Sequence, residues 1–125
     1  MRIRADRAAI NNEDHTFREL IDPRGTCLDF SSFRELDEAI RAPELAFSHG
    51  LNNAYRLAGS PAVELKAGGV SLSADSDSRA AVIYTGGYLP VPSGFAAIEF
   101  QDLPASSERQ VTADFTRTIS FTFTC

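Results

Sequence analysis

The fifteen residues at positions 111–125, VTADFTRTISFTFTC, alternate between apolar and polar side chains. Every even position is polar, and every odd position except one arginine is apolar. An α-helix cannot separate these residues because its period is 3.6, whereas a strand places them on two opposite faces. The pattern therefore predicts a β-strand with one apolar face and one face rich in hydroxyl groups. The apolar face contains Phe115, Ile119, Phe121 and Phe123, and Arg117 interrupts it.

The length of this stretch leaves two arrangements open. At about 3.3 Å per residue it reaches about 50 Å, which is long for a strand in a small domain. It either bends at Arg117 into two strands, or it continues and part of it pairs outside its own domain. Residues 118–125 contain no charged side chain, proline or glycine, and an exposed edge of this kind favours aggregation. We therefore expect the chain's own sheet or a neighbouring subunit to cover it.

The first half of the chain has apolar residues at helical spacing. The pattern predicts helices within residues 12–21, 33–41 and 43–59. Ser32 and Glu35 have the spacing of a capping box at the start of the second helix.

Beyond residue 60 the period changes to that of strands. AVELK at 62–66 and VSLS at 70–73 flank a turn that contains two glycines, and RAAVIY and FAAIEF predict two further strands. Helices followed by strands indicate the α+β class, here short N-terminal helices followed by a mostly antiparallel β-sheet or small sandwich. We expect a single domain, residues 1–125, with a helix-rich part at 1–59 and a β-rich part at 60–125.

Charge and hydropathy limit the partners. The net charge is -5 at neutral pH, which argues against a general phosphate-binding surface, so we expect no sequence-specific nucleic acid. No apolar run approaches the ~20 residues of a membrane helix, and the first ten residues lack the apolar segment of a signal peptide. We therefore expect no membrane partner. Cys27 and Cys125 do not make a disulfide framework.

Motifs that carry chemistry are absent from the sequence. There is no nucleophile elbow, Walker loop, GxGxxG or HExxH pattern. His15 and His49 lie on predicted helices and are expected to be surface imidazoles. Asp75 and Asp77 suit a polar turn, and a bound calcium ion is the alternative. We therefore expect no cofactor, no metal and no enzymatic activity.

The loop YTGGYLPVPSG at 84–94 is more apolar than a solvated loop requires. Its apolar candidates are Tyr84, Tyr88, Leu89 and Val91. Two interpretations are open: the loop folds over the sheet as a lid on the core, or it docks on another subunit.

The string IEFQDLPASSERQVTADFTRTISFTF at 98–123 resembles the closing β unit of some tailed-phage tail proteins. In that unit a VTADF-like string precedes a final strand of alternating phenylalanine and polar residues. The resemblance implies a virion component that is assembled in the host cytoplasm and acts by subunit assembly rather than by catalysis.

These observations give two hypotheses. The first is a non-enzymatic structural or assembly protein of a phage tail, neck or capsid surface, which is oligomeric and contacts copies of itself and other virion proteins. The second is a small acidic binding module, such as an inhibitor or immunity-type protein that masks a basic partner. The residues expected to make the contacts are Tyr84, Tyr88, Leu89, Val91, Phe115, Arg117, Ile119, Phe121 and Phe123.

Overall fold

Two antiparallel sheets make up most of the computed structural model, which describes residues 1–90, 96–103 and 118–125. The strands are β1 (Arg2–Ile3), β2 (Ala5–Asn11), β3 (Phe17–Ile21), β4 (Asn52–Leu57), β5 (Val63–Ala67), β6 (Val70–Ser76), β7 (Ala80–Tyr84), β8 (Ala97–Gln101) and β9 (Ile119–Thr124). The first sheet has the order β1-β5-β6-β9, and the second has the order β3-β2-β4-β7-β8. We refer to them as the four-stranded and the five-stranded sheet.

The core lies between the two sheets. Val63 of the four-stranded sheet and Tyr55 and Ile83 of the five-stranded sheet are fully buried. Burying a side chain of this size on folding stabilises the folded state by about 1.5–3 kcal/mol. The segment between β3 and β4 adds further buried side chains to the same core: Leu28, Phe30, Ala39, Leu45 and Leu51.

The predicted hairpin in the second half of the chain is confirmed. Strands β5 and β6 are antiparallel, with Ala67 opposite Val70. Gly68 and Gly69 connect them with φ angles of 57° and 81°. Two consecutive positive φ angles match the right-handed twist of paired strands, and glycine adopts them without steric cost.

The predicted helix at 12–21 is wrong. This segment contains a tight turn and then β3, which pairs with β2 so that Ala9 faces Leu20. The turn is closed by a hydrogen bond of 2.9 Å from the Asn12 N–H to the Thr16 carbonyl. Phe17, Leu20 and Ile21 fit a helical spacing, but pairing with β2 satisfies the backbone of this segment instead.

The predicted helix at 43–59 is also wrong for most of its length. A 3₁₀ helix spans Pro43–Ser48, His49 ends it in the left-handed conformation, and β4 follows. Strand β4 pairs with β2 on one edge and with β7 on the other. Because β4 lies between two strands of the sheet, pairing with them makes these residues a strand, although their spacing also fits a helix.

The third predicted helix, at 33–41, is reduced to four residues. The helix α1 spans Leu36–Ala39, and Glu35 caps it without a side-chain hydrogen bond, so the predicted capping box with Ser32 is not formed. In the described ranges no helix is long and apolar enough to cross a membrane.

The fold is therefore a two-sheet, sandwich-like β structure. The predicted antiparallel sheet is confirmed, whereas the α+β class with N-terminal helices is wrong. That residues 1–125 form one domain stays a prediction.

The last strand, β9, lies within the part of the predicted strand that the structure describes. It pairs with β6 of the same chain over six residues, with Phe121 opposite Ala74. Phe115 and the predicted bend at Arg117 lie outside the described residues. The side chains of Ile119, Phe121 and Phe123 are exposed in the single chain, so its own sheets do not cover them. That a neighbouring subunit covers them stays a prediction.

The phenol of Tyr55 predicts a loss of stability at alkaline pH. Its hydroxyl donates to the Leu28 carbonyl at 3.3 Å, and burial raises the pKa of this phenol above its ordinary value of 10.0. Below pH 10 both states keep the proton. As the pH rises further, the unfolded chain releases it while the folded chain retains it, so the free energy of unfolding falls by up to about 1.4 kcal/mol per pH unit.

Tyr55→Phe removes this dependence and costs about 1 kcal/mol at neutral pH through the lost hydrogen bond. Urea unfolding followed by circular dichroism at pH 7, 9 and 11 measures the free energy of unfolding of both proteins. We expect the difference in the free energy of unfolding between the native protein and Tyr55→Phe to become smaller between pH 9 and pH 11. A constant gap would show that the phenol does not ionise on unfolding.

Candidate functional site

The outward face of the five-stranded sheet carries the polar groups of the candidate site. In β4, Asn53 and Tyr55 point into the core, so Asn52 and Ala54 point to the opposite face. The strand register places Ala54 beside Val82 of β7, and Val82 beside Glu99 of β8. We call this surface the open face. The Glu99 side chain is exposed on it.

A cavity of about 280 Å³ lies on the open face. Four of the five strands and the turn between β2 and β3 contribute to its wall. Its lining residues are Ala9, Asn11, His15, Phe17, Asn52, Ala54 and Val82. The amide of Asn11 donates to the Asn52 carbonyl at 3.1 Å, which ties β2 to β4 at one side of the cavity. The wall thus combines two amides, an imidazole and a phenyl ring.

His15 is held at the cavity by the β2–β3 turn. Its φ angle is 65°, a conformation that is uncommon for residues other than glycine. The Asp14 carboxylate fixes the turn by accepting from the Thr16 hydroxyl at 2.6 Å and from the Thr16 N–H at 3.0 Å. These hydrogen bonds, that of the hydroxyl first, hold the pKa of Asp14 below its ordinary value.

His49 lies at the end of the 3₁₀ helix and also has a positive φ angle, of 52°. The buried hydroxyl of Ser48 donates to the Gly50 carbonyl at 2.6 Å, and the Leu51 N–H donates to the Thr85 hydroxyl at 2.9 Å. These bonds fix the segment between the 3₁₀ helix and β4 against the end of β7. Left-handed conformations at residues other than glycine are enriched at functional sites, so the two histidines are candidates.

Tyr88 connects the two imidazoles. Its ring lies edge-on to His15, with centroids 5.6 Å apart, and edge-on to His49, with centroids 5.2 Å apart. The Tyr88 N–H donates to the Tyr84 hydroxyl at 3.1 Å. We call these four side chains the histidine–tyrosine cluster.

The hydrogen bonds of Tyr88 assign the protons of the cluster. Its hydroxyl donates to the Phe47 carbonyl at 2.9 Å and lies 3.0 Å from Nε2 of His15. A phenol has one proton to donate. Because Phe47 receives that proton, Nε2 of His15 carries the hydrogen in the second bond. His15 therefore donates to Tyr88.

The position of Tyr88 depends on the residue before it. A Cβ atom at Gly87 would lie 2.4 Å from the His49 carbonyl oxygen and 2.7 Å from the His49 Cβ. Backbone and Cβ atoms cannot turn away as the end of a flexible side chain does. Gly87 is therefore required for the loop after β7 to pack against His49.

The residues predicted to make contacts fall into two separate groups. Tyr84 and Tyr88 belong to the histidine–tyrosine cluster beside the five-stranded sheet, and Leu89 is exposed next to them. Ile119, Phe121 and Phe123 lie on β9 of the four-stranded sheet. Val91, Phe115 and Arg117 lie outside the described residues. That these positions contact other subunits stays a prediction.

The polar groups of the open face were missed by the sequence reasoning. His15 was placed on a helix that is not formed, His49 was placed inside a helix that ends before it, and Glu99 was treated only as part of a strand. The available signal was Glu99 itself, a single carboxylate within the otherwise apolar strand FAAIEF. Asn11 and Asn52 gave no signal, because pairing between distant strands brings them together.

The two aspartates of the predicted polar turn bind residues that are distant in the sequence, and the turn prediction is wrong for Asp75, which lies in a strand. Asp75, on β6, accepts from the Ser60 hydroxyl, and Asp77 accepts from the Thr118 N–H at 3.1 Å. Among the residues that the structure describes, no three His, Cys, Asp or Glu side chains form a group that could hold a metal ion. Burial raises the pKa of the half-buried Cys27 thiol.

The fold is similar to that of sugar epimerases. Galactose 1-epimerase from Lactobacillus acidophilus NCFM superposes with a TM-score of 0.80 at 17% sequence identity, over 98% of this chain and 42% of that one. The GalM/aldose epimerase homologue from C. elegans superposes with a TM-score of 0.72 at 16% identity, over 98% of this chain and 44% of that one. The chain spans less than half the length of these structures. No family model and no curated protein matches the sequence.

These findings correct the predictions that followed from the resemblance to phage tail proteins. The fold is one found in aldose epimerase-type proteins, so the virion role is wrong. The virion localisation and the phage and capsid assignments are wrong with it. The prediction that the protein is not an enzyme is overturned by the same likeness, and the acidic inhibitor is not supported by it.

The packing of Gly87 against His49 predicts the effect of one added methyl group. We expect Gly87→Ala to displace the loop and to lower the free energy of unfolding by about 1–3 kcal/mol. NMR signals of Tyr88, His15 and His49 should shift together. Gly59→Ala is the control, because its Cβ would come closest to the Arg4 Cδ, at 2.9 Å, in a long side chain that can shift, and would stay 3.3 Å from the Arg4 Cβ. Unchanged signals for both histidines in Gly87→Ala would contradict the coupling.

Proposed function

We propose that the protein binds a monosaccharide on the open face of the five-stranded sheet. The observation that carries the proposal is the position of Glu99, which lies on the strand next to the cavity and pairs with Val82, a residue of the cavity wall. A carboxylate accepts two hydrogen bonds from neighbouring hydroxyl groups, and hydrogen bonds to a charged acceptor are the stronger ones.

The other groups of the open face also suit a sugar. Asn11 and Asn52 supply amide groups, which both donate and accept, and Phe17 supplies an apolar ring surface. A sugar ring is complementary to these groups, because it has hydroxyl groups at its rim and C–H groups on its faces. The volume of about 280 Å³ lies near the lower end of ligand cavities and suits one sugar ring.

The likeness to a galactose 1-epimerase supports the ligand class. The name of that enzyme states that it acts at carbon 1 of galactose. On this basis we propose a sugar of the same class as the ligand of this chain. The open face then forms at least part of the binding site for this sugar.

Interconversion of sugar anomers is a second function that these residues support, because Glu99 on the open face, His15 in the cavity wall and His49 beside Tyr88 supply both a base and an acid. In this reaction a base removes the O1 proton, the bond between C1 and the ring oxygen breaks, and an acid protonates the ring oxygen. Rotation about C1–C2 and the reverse steps then close the other anomer. Carboxylates and imidazoles perform such proton transfers.

Titration of the purified chain with galactose and glucose tests the first function, by calorimetry and by NMR. We expect saturable binding, and we expect Glu99→Gln to weaken it by roughly tenfold or more, because a hydrogen bond to a charged group contributes about 1.5–3 kcal/mol. Glu38→Gln is the matched control, since Glu38 is an exposed carboxylate on α1 that does not line the cavity. Absence of saturable binding of either sugar would refute the proposal.

Polarimetry separates the two functions. If the protein interconverts anomers, freshly dissolved α-galactose reaches its equilibrium rotation faster in its presence, and Glu99→Gln abolishes the acceleration while Glu38→Gln retains it. Binding without acceleration leaves the first function and excludes the second.

A further inference from the structure

The strand β9 is exposed along its whole length. All six of its residues are exposed, and Ile119, Phe121 and Phe123 retain 47%, 52% and 68% of their accessible surface. Phe121 lies opposite Ala74, which is fully buried in the core. The apolar side of β9 is therefore an extension of the core side of the four-stranded sheet beyond the last buried strand.

The edge of β9 lacks the features that keep strand edges apart. In the described residues β9 is the end strand of its sheet, and β6 pairs with one side of it. Residues 118–125 contain no charged side chain and no proline. Natural sheets protect exposed edges with charges, prolines or short strands, and an unprotected apolar edge marks an interaction surface.

We propose that β9 pairs in antiparallel fashion with β9 of a second copy of this chain. Each copy carries a net charge of -5, so two copies repel each other through most of their surfaces. Contact through an uncharged strand keeps this repulsion smallest. Charge thus favours β9 over the rest of the surface for self-association.

The sequence of β9 is also complementary to itself. A two-fold axis through Phe121 places Phe121 opposite its own copy and Ile119 opposite Phe123, on both sides of the axis. All three apolar residues then form cross-strand pairs on one face. An axis through Ser120 or Thr122 pairs only two of them. Each apolar or aromatic cross-strand pair contributes about 0.2–1 kcal/mol.

The resulting dimer has a continuous sheet across both copies. The four-stranded sheets join edge to edge, and the unpaired N–H and C=O groups of β9 bind each other. A two-fold interface of this kind closes on itself and leaves no free edge at the junction. A different occupant is a polypeptide like the part of the neighbouring structures that has no counterpart here, which is more than half of each chain.

Light scattering of the purified chain, from about 1 µM to about 1 mM, tests the proposal. We expect a reversible monomer–dimer equilibrium. Phe121→Asp places two like charges opposite each other at the axis and should raise the dissociation constant roughly tenfold or more. Phe17→Asp is the control, since Phe17 is 49% exposed on an edge strand of the other sheet, and it should leave the equilibrium unchanged.

Cysteine cross-linking tests the register in chains that retain the native strand. With Cys125→Ser as background, Phe121→Cys brings two thiols together across the axis, with Cα atoms about 4.5–5.5 Å apart, within the range of a disulfide. Oxidised glutathione should convert it to a covalent dimer. Ser120→Cys is the control, because residue 120 faces residue 122 of the other copy and should remain uncoupled.

Three outcomes would overturn the proposal. One is a monomer across the whole concentration range, which would favour the different polypeptide as the occupant. Another is a dimer that Phe121→Asp does not weaken. The last is equal cross-linking of the variants at positions 120 and 121, which would show that no fixed register exists.

Discussion

The alternation of side chains along β4 is the constraint on which both the core and the candidate site depend. Tyr55 and Asn53 point inward, and the Asn53 amide donates to the Ala9 carbonyl of β2 at 2.9 Å. Asn52 and Ala54 consequently point outward into the cavity. A shift of β4 by one residue would exchange the two sets and would expose Tyr55 while burying Asn52. The buried amide of Asn53 opposes such a shift, because a displaced strand would leave it without its partner.

The rim of the open face depends on loops rather than on strands. Two residues with left-handed backbones, His15 and His49, are brought to one tyrosine by two unrelated turns. Neither backbone conformation is favourable by itself, so the surrounding hydrogen bonds must hold both. Asp14 does this at the first turn and Ser48 at the second.

Part of this fold was predictable from the sequence. The hairpin around Gly68 and Gly69 has a turn whose residue types specify its conformation, so local chemistry was sufficient. Residues 43–59 could not be assigned in the same way. Leu51, Ala54 and Tyr55 fit a helical spacing, while Asn53, Tyr55 and Leu57 fit a strand, and only pairing with β2 and β7 decides between them. The histidine–tyrosine cluster was unpredictable for the same reason, since it joins residues more than 70 positions apart.

The single proton of the Tyr88 hydroxyl has a consequence for how the loops beside the open face are joined. Because that proton goes to the Phe47 carbonyl, His15 donates through Nε2. The Tyr88 hydroxyl thus binds both the β2–β3 turn, which carries His15, and the 3₁₀ helix, which carries Phe47. A displacement of the turn, of the 3₁₀ helix or of the loop after β7 therefore breaks a hydrogen bond to one of the other two segments.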